Sequence, residues 1–208
     1  MSRQSEIREE AHRRGISQLF HFTPDVNVLS ILQHGLGSRD LLDAHGVQYQ
    51  QTKAWRLDDM DDAISVSIHS VNPKTFAEKR RHYSGEWVIF ALDACILWTH
   101  ECRFAWANAG SSEILDHSGF RGGPWAFREM FADREVSHGD QSSYRRHMER
   151  DPCEPTDGAA EVQVLEPIHP DLILAVIVKT DPFREMLEQK MCELECVKPV
   201  LAMPDAFG

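Results

Sequence analysis

Between Trp87 and Leu92 every residue is apolar (Trp-Val-Ile-Phe-Ala-Leu). A β-rich run with no polar face reads as a central strand. The other extended runs are Leu19-Phe20-His21-Phe22, the alternating segments Ile64–Ile68 and Ala160–Leu165, the apolar run Leu172–Lys179 and a last short piece at Val200-Leu201. Long helices do not regularly separate them, so the pattern predicts an α+β fold: a mixed sheet with helices collected on its flanks, not a doubly wound parallel one. At 208 residues the expectation is one domain over 1–208.

Helices are expected where caps meet helical spacing. Thr23-Pro24 supplies an N-cap and a first-position proline for a helix carrying Val26, Leu29 and Leu32 and stopped by Gly35. Asn72-Pro73 opens a second, with Phe76, Lys79 and Arg80. Shorter helical pieces fall at Ala94–Trp98 and Trp125–Phe131, and Asp181-Pro182 caps one running to about Met191. Residues 37–62, rich in aspartate around Trp55-Arg56, read as an irregular loop, and 104–158 as loops over a pocket.

A net charge of −11 opposes broad, sequence-blind adhesion to phosphate backbones, so any nucleic-acid contact must be local. Five cysteines without a CxxC pair suggest reduced, structural thiols and no metal; Cys192 and Cys196 are half of a site at most. The mixed-charge N-terminus lacks a secretory h-region and the longest apolar run is Leu172–Val178, so a cytoplasmic protein without a membrane span is expected. No GxGxxG, Walker loop or GxSxG elbow occurs.

Candidate chemistry starts with Glu161, a carboxylate at the head of an alternating strand just after a Gly- and Pro-containing loop. It either faces a cleft or is a surface glutamate. His21, at a strand-to-helix junction between two phenylalanines, is a pocket residue or a hydrogen-bonded core histidine. Beside it, Thr23 caps the first helical turn, whose N–H groups suit a ribose or a phosphate. Arg56 is a pyrophosphate clamp or an ion-pair partner of the surrounding aspartates. Tyr144-Arg145-Arg146, with Arg150, Trp125 and Phe127, mixes cations and rings that could stack an unpaired base, amid enough acid to make a solvated surface instead.

These motifs, taken in order, resemble the DarT-type ADP-ribosyltransferases. The match runs through Phe20-His-Phe-Thr23 and the helix to Gly35-Leu36, Ala63-Ile-Ser-Val-Ser-Ile68, Asn72-Pro-Lys-Thr-Phe76 and Trp87–Asp93. It continues through Asn108-Ala109, Pro155-Thr-Asp157, Ala160-Glu161-Val162 and Pro167-Ile168. The resemblance implies an ADP-ribosyltransferase-like fold, a mostly antiparallel split sheet flanked by helices. It also implies an enzyme that moves ADP-ribose from NAD, without a metal, to a base of single-stranded nucleic acid, with DNA favoured and RNA left open. A toxin or phage-defence role follows, beside a macrodomain-type or other antitoxin. By position it makes Glu161 the catalytic glutamate and Arg56 the NAD-phosphate arginine. His21 and Thr23 fall at the nicotinamide-ribose end, with Ser67, Asn72 and Phe76 as further NAD-pocket residues. The loop around Arg56 is shorter and more acidic than in the thymidine-modifying branch, which leaves the base open.

Two other readings compete. In a metal-free ribonuclease toxin Glu161 would be general base, His21 general acid and Arg56 the phosphate clamp. A non-enzymatic, acidic module would grip a protein through its loops, indifferent to Glu161→Gln.

Overall fold

The computed structural model describes residues 1–50, 62–133, 150–195 and 197–207, together with the backbone of 135–138 and 141–145. Its framework is a seven-stranded sheet of β1 (Gln18–Pro24), β2 (Ile64–Ile68), β3 (Trp87–Asp93), β4 (Cys102–Ala105), β7 (Glu161–Val164), β8 (Ile173–Val178) and β9 (Val200–Ala202). The order is β4-β7-β2-β1-β3-β8-β9, and β5 (Glu135–His138) and β6 (Gln141–Arg145) form a separate two-stranded ribbon. Every neighbouring pair is antiparallel except β8 and β9. This is the mixed α+β architecture that the sequence pattern predicts.

The uniform apolarity of β3 follows from its place between β1 and β8. Successive side chains leave a strand on opposite faces. Val88, Phe90 and Leu92 enter a large core with Ile7, Leu32, Val66, Phe104 and Phe127. Trp87, Ile89 and Ala91 enter a smaller one with Val71, Phe76, Ala175 and Phe207. Both faces are therefore covered, and neither tolerates a polar residue.

The sheet forks between β1 and β2. β1 pairs with β3 along all seven residues, Gln18↔Asp93 to Pro24↔Trp87. It meets β2 only at Leu19↔Ile68 and Phe20↔Ser67. Beyond that point the two strands diverge, while β2 continues along β7 from Val66↔Val162 to Ile64↔Val164.

Helices α1 (Arg3–Arg13), α2 (Val28–His34), α3 (Arg39–Ala44), α4 (Pro73–Arg80), α5 (Ile96–Thr99), α6 (Ser112–Leu115), α7 (Pro124–Glu129) and α8 (Asp181–Glu193) pack around the sheet. Three were illegible in sequence, α6 because it lies in the stretch 104–158 read as loops. α1 is mostly polar and charged and buries only Ile7, Glu10 and Ala11. α3, inside the expected irregular loop, buries nothing and relies on Ser38, whose hydroxyl accepts from the Leu41 N–H.

One expected cap is corrected. Thr23 does not start a helix: β1 runs on through Pro24, a 3-10 turn follows at Asp25–Asn27, and α2 begins only at Val28. The Thr23 N–H and C=O stay in the strand opposite Val88, and Val26, expected on the buried face, is 61% exposed. Pairing with β3 won because it extends a ladder already five residues long. Gly35 does end α2, at φ 85° and ψ −176°.

The excursion before β7 is stitched at its base. Fully buried Thr156 donates its N–H to the Met130 carbonyl and its hydroxyl to the Ala132 carbonyl, both at 2.8 Å. Arg150 donates to the carbonyls of Pro155 (3.1 Å) and Thr156 (3.2 Å), and Arg14 to that of Pro152 (3.1 Å). Among the described residues no helix is long and apolar enough to cross a membrane.

Candidate active site

The fork opens into a cleft of about 510 Å³, within the range of small-molecule sites. Its floor is sheet. His21, Phe22, Thr23 and Pro24 come from β1, Ser65 from β2 with Ala63 just before it, and Glu161 from the head of β7. One wall is α2, α3 and the segment Val47–Gln50; Thr75 and Lys79 of α4, and Asn108 with Gly110, complete the rim.

Glu161 is half-buried, while Val162, Gln163 and Val164 after it are wholly buried, because β7 is paired on both sides and covered on both faces. Its backbone sits opposite Ala105 of β4. The chain leaves β4 into a turn in which Asn108 Oδ1 accepts from the Gly110 N–H at 2.9 Å. The next donor in that turn, the Ala109 N–H, reaches Glu161 Oε1 at 3.0 Å. The carboxylate is thus aimed by a backbone donor, not by a flexible cation. Among the described lining residues it is the one carboxylate, against the cations Arg39 and Lys79, in a chain of net charge −11.

His21 bridges the two arms of the fork, its Nδ1 lying 2.9 Å from the Ser65 carbonyl oxygen. A carbonyl only accepts, so Nδ1 carries the proton, and in the neutral ring Nε2 is then the acceptor. Thr23 is buried and its hydroxyl accepts from Asn27 Nδ2 at 2.9 Å. The same amide holds Gln50 at two points: Oδ1 accepts from the Gln50 N–H (2.8 Å) and Nδ2 donates to its carbonyl (3.2 Å). Asn27 therefore pins the Val47–Gln50 wall to the end of β1. Just outside, the Tyr83 hydroxyl donates to Asp25 at 2.5 Å. Burial, then the Asp25 hydrogen bond and charge, push that phenol up to about 12.

Glu161, His21 and Thr23 are thus brought together. Three expected pocket residues are not. Ser67 lies in the closed part of the fork opposite Phe20, and Ser65, two residues back on the same face of β2, lines the cleft instead. Asn72 caps α4 through the Thr75 N–H (2.8 Å) and donates to the Gly158 carbonyl (2.7 Å), which ties α4 to the loop entering β7. Phe76 is 2% exposed and packs edge-on against Trp87, a core residue. Arg56 and Arg146 fall outside the described residues; Tyr144 and Arg145 lie on β6, paired with Val136 and Glu135. Of their expected companions, Phe127 is wholly buried and Arg150 is spent on the loop carbonyls.

Sequence reasoning missed Asn27, Ser65, Arg39 and Lys79 as cleft residues. Lys79 carried the one usable signal, since it follows Thr75 by one helical turn and so shares its face; its ammonium lies 5.0 Å over the Phe22 ring. Among the described residues no group of three or more His, Cys, Asp or Glu is disposed to hold a metal.

A family profile described as "ssDNA thymidine ADP-ribosyltransferase, DarT" matches residues 20–208, nearly the whole chain. The chain belongs to the DarT family. As a member it is an ADP-ribosyltransferase acting on single-stranded DNA. No curated protein matches it. Solved DarT structures share its fold at low identity. Thermus sp. 2.9 DarT in complex with carba-NAD+ is 12% identical with a TM-score of 0.62, over 92% of this chain and 98% of that one. The same protein in complex with ADP-ribosylated ssDNA gives 14% and 0.58, over 93% and 97%. Thermosipho africanus DarTG in complex with ADP-ribose gives 17% and 0.58, over 92% of this chain; this DarT-family chain spans about half, 51%, of that longer one.

Proposed function

We propose that the cleft binds NAD with its nicotinamide ribose at the fork and that Glu161 is the catalytic carboxylate of ADP-ribose transfer to single-stranded DNA, all within one domain over 1–208. The observation that carries the assignment is a single fixed carboxylate, aimed by the Ala109 N–H into a cleft whose other described charges are cationic. Breaking the bond from nicotinamide nitrogen to ribose C1′ sends the bonding pair to the leaving nicotinamide and builds positive charge on the sugar. A carboxylate at the ribose stabilises that charge. The acceptor base nitrogen then supplies an electron pair to C1′ and loses a proton, to Glu161 or to water. His21 Nε2 suits a ribose hydroxyl as acceptor, and Arg39 and Lys79 suit the pyrophosphate; Arg56 stays a candidate for the same task.

Thymidine is the acceptor named in the family description and DarT of Thermus sp. 2.9 has been captured with ADP-ribosylated ssDNA, which supports a thymidine in single-stranded DNA as target here. An unpaired base also avoids the opening cost of a few kcal/mol. The DarTG relative supports a toxin role beside an antitoxin, of macrodomain type in this proposal, in the cytoplasm where chromosome and phage DNA are met.

The test incubates wild-type and Glu161→Gln protein with labelled NAD and separate pools of single-stranded DNA and RNA. Label on DNA, reduced at least about 10²- to 10³-fold by the substitution while NAD affinity holds, is the expected result. NAD-independent shortening of RNA would replace this reading with the ribonuclease, and label on RNA alone would move the acceptor.

A further inference from the structure

Trp106 directly follows Ala105, the strand partner of Glu161, and heads the same turn whose Ala109 N–H holds the carboxylate. Its indole is 5% exposed and its N–H donates to Glu113 at 2.5 Å. Two rings stand on it edge-on: His117 at 5.0 Å and 87°, and Trp125 at 5.5 Å and 77°. Those two are nearly parallel to each other, 16° apart in plane with centroids 5.6 Å apart. Trp125, at the first turn of α7, nevertheless leaves 51% of its surface in water. None of the three rings lines the cleft.

An isolated exposed tryptophan needs no explanation, but this one is held in place by two neighbours. The place of the imidazole is kept open as well: a Cβ on Gly119 would stand 2.4 Å from His117 Nε2, so a side chain there would push the ring from its present position. Such a preset aromatic face takes a flat, apolar partner at little entropic cost. Glu113 and Asp116 nearby repel phosphate but not the face of a base.

We infer that the Trp125–His117 stack is the platform on which an unpaired base of the acceptor strand lies, next to the turn that positions Glu161. The occupant is single-stranded DNA, because the faces of paired bases are already covered by their neighbours. The inference rests on the NAD reading of the cleft only for its purpose; the binding itself needs no NAD.

The test measures anisotropy of a labelled thymidine-containing oligonucleotide without NAD, and NAD hydrolysis without DNA, for wild type, Trp125→Ala and Trp125→Tyr. Alanine is expected to weaken oligonucleotide binding roughly 5- to 150-fold and tyrosine to restore it to within about threefold. The salt dependence should keep its slope, since no phosphate contact is lost, and NAD hydrolysis should hold to within about twofold. Unchanged oligonucleotide affinity in Trp125→Ala would overturn the platform, leaving the NAD reading intact and pointing the stack at a protein instead. So would a loss that tyrosine does not restore. Failure of wild type to consume NAD even when the oligonucleotide is present would strike the cleft assignment alone, because base binding is read separately.

Discussion

Replacing Gly35 with alanine probes how α2 is joined to the sheet end of the cleft. Gly35 sits at φ 85° and ψ −176°, a region that essentially only glycine occupies. A Cβ there would lie 2.2 Å from the Ile168 carbonyl oxygen, closer than side chains are found to approach. That carbonyl accepts from the Leu36 N–H at 3.0 Å, and the Ile168 N–H returns the bond at 2.9 Å. Backbone strain costs about 1 to 3 kcal/mol. Bending one or both bridge hydrogen bonds adds about 1 kcal/mol each. The stiffer unfolded chain returns about 0.4 to 1 kcal/mol. The net loss is about 1 to 5 kcal/mol, or about 2 to 20 °C in Tm for a chain of this size. Gly46→Ala is the control, with φ 65° and nothing within 4 Å of the added carbon, so it carries conformational strain without the collision. Thermal melts and urea titrations of both variants decide the matter. Equal losses in the two, or a smaller loss at Gly35, would refute the argument that the bridge to Ile168 is what glycine protects.

Two more outcomes follow from named hydrogen bonds. Asn27→Ala removes both links to Gln50 and should raise the KM for NAD about 5- to 30-fold while the KM for DNA stays within about twofold, checked by steady-state kinetics. Glu10 is opposed by burial, which raises its pKa, yet the hydrogen bonds from Arg13 and Arg14 and their charges outweigh this and hold it below 4.5. A depressed carboxylate stabilises above its unfolded value and loses that contribution as pH falls. Glu10→Gln should therefore cost about 1 to 3 kcal/mol at pH 7, with wild type and variant converging below pH 4.5 in urea titrations.

Most strands of the main sheet were legible because their patterns report burial directly: β3 is apolar on both sides, and both sides are core; β4, β5 and β6 were not, since they lie in or beside the stretch read as loops. Glu161 was legible because it opens a strand after a loop, and a strand end is where a side chain meets a cleft. Thr23 misled because a Thr-Pro cap and a strand end look alike in sequence; the β3 ladder decides between them, and that is a long-range fact. Asn27, Ser65 and Lys79 meet only because β1 and β2 part after two residue pairs, and no local pattern encodes where strands separate. Phe76 shows the opposite failure, a motif residue whose ring is consumed by the core beneath the site.

The stitch at Thr156 carries a consequence for how such a chain diversifies. Both ends of the excursion meet on Met130 and Ala132, and Arg14 and Arg150 rivet the returning strand before it reaches β7. Insertions, deletions or exchanged side chains within that excursion are absorbed ahead of the rivets and leave the carboxylate's aim unchanged. The segment between the stitches can drift as a cassette while the described cleft stays fixed.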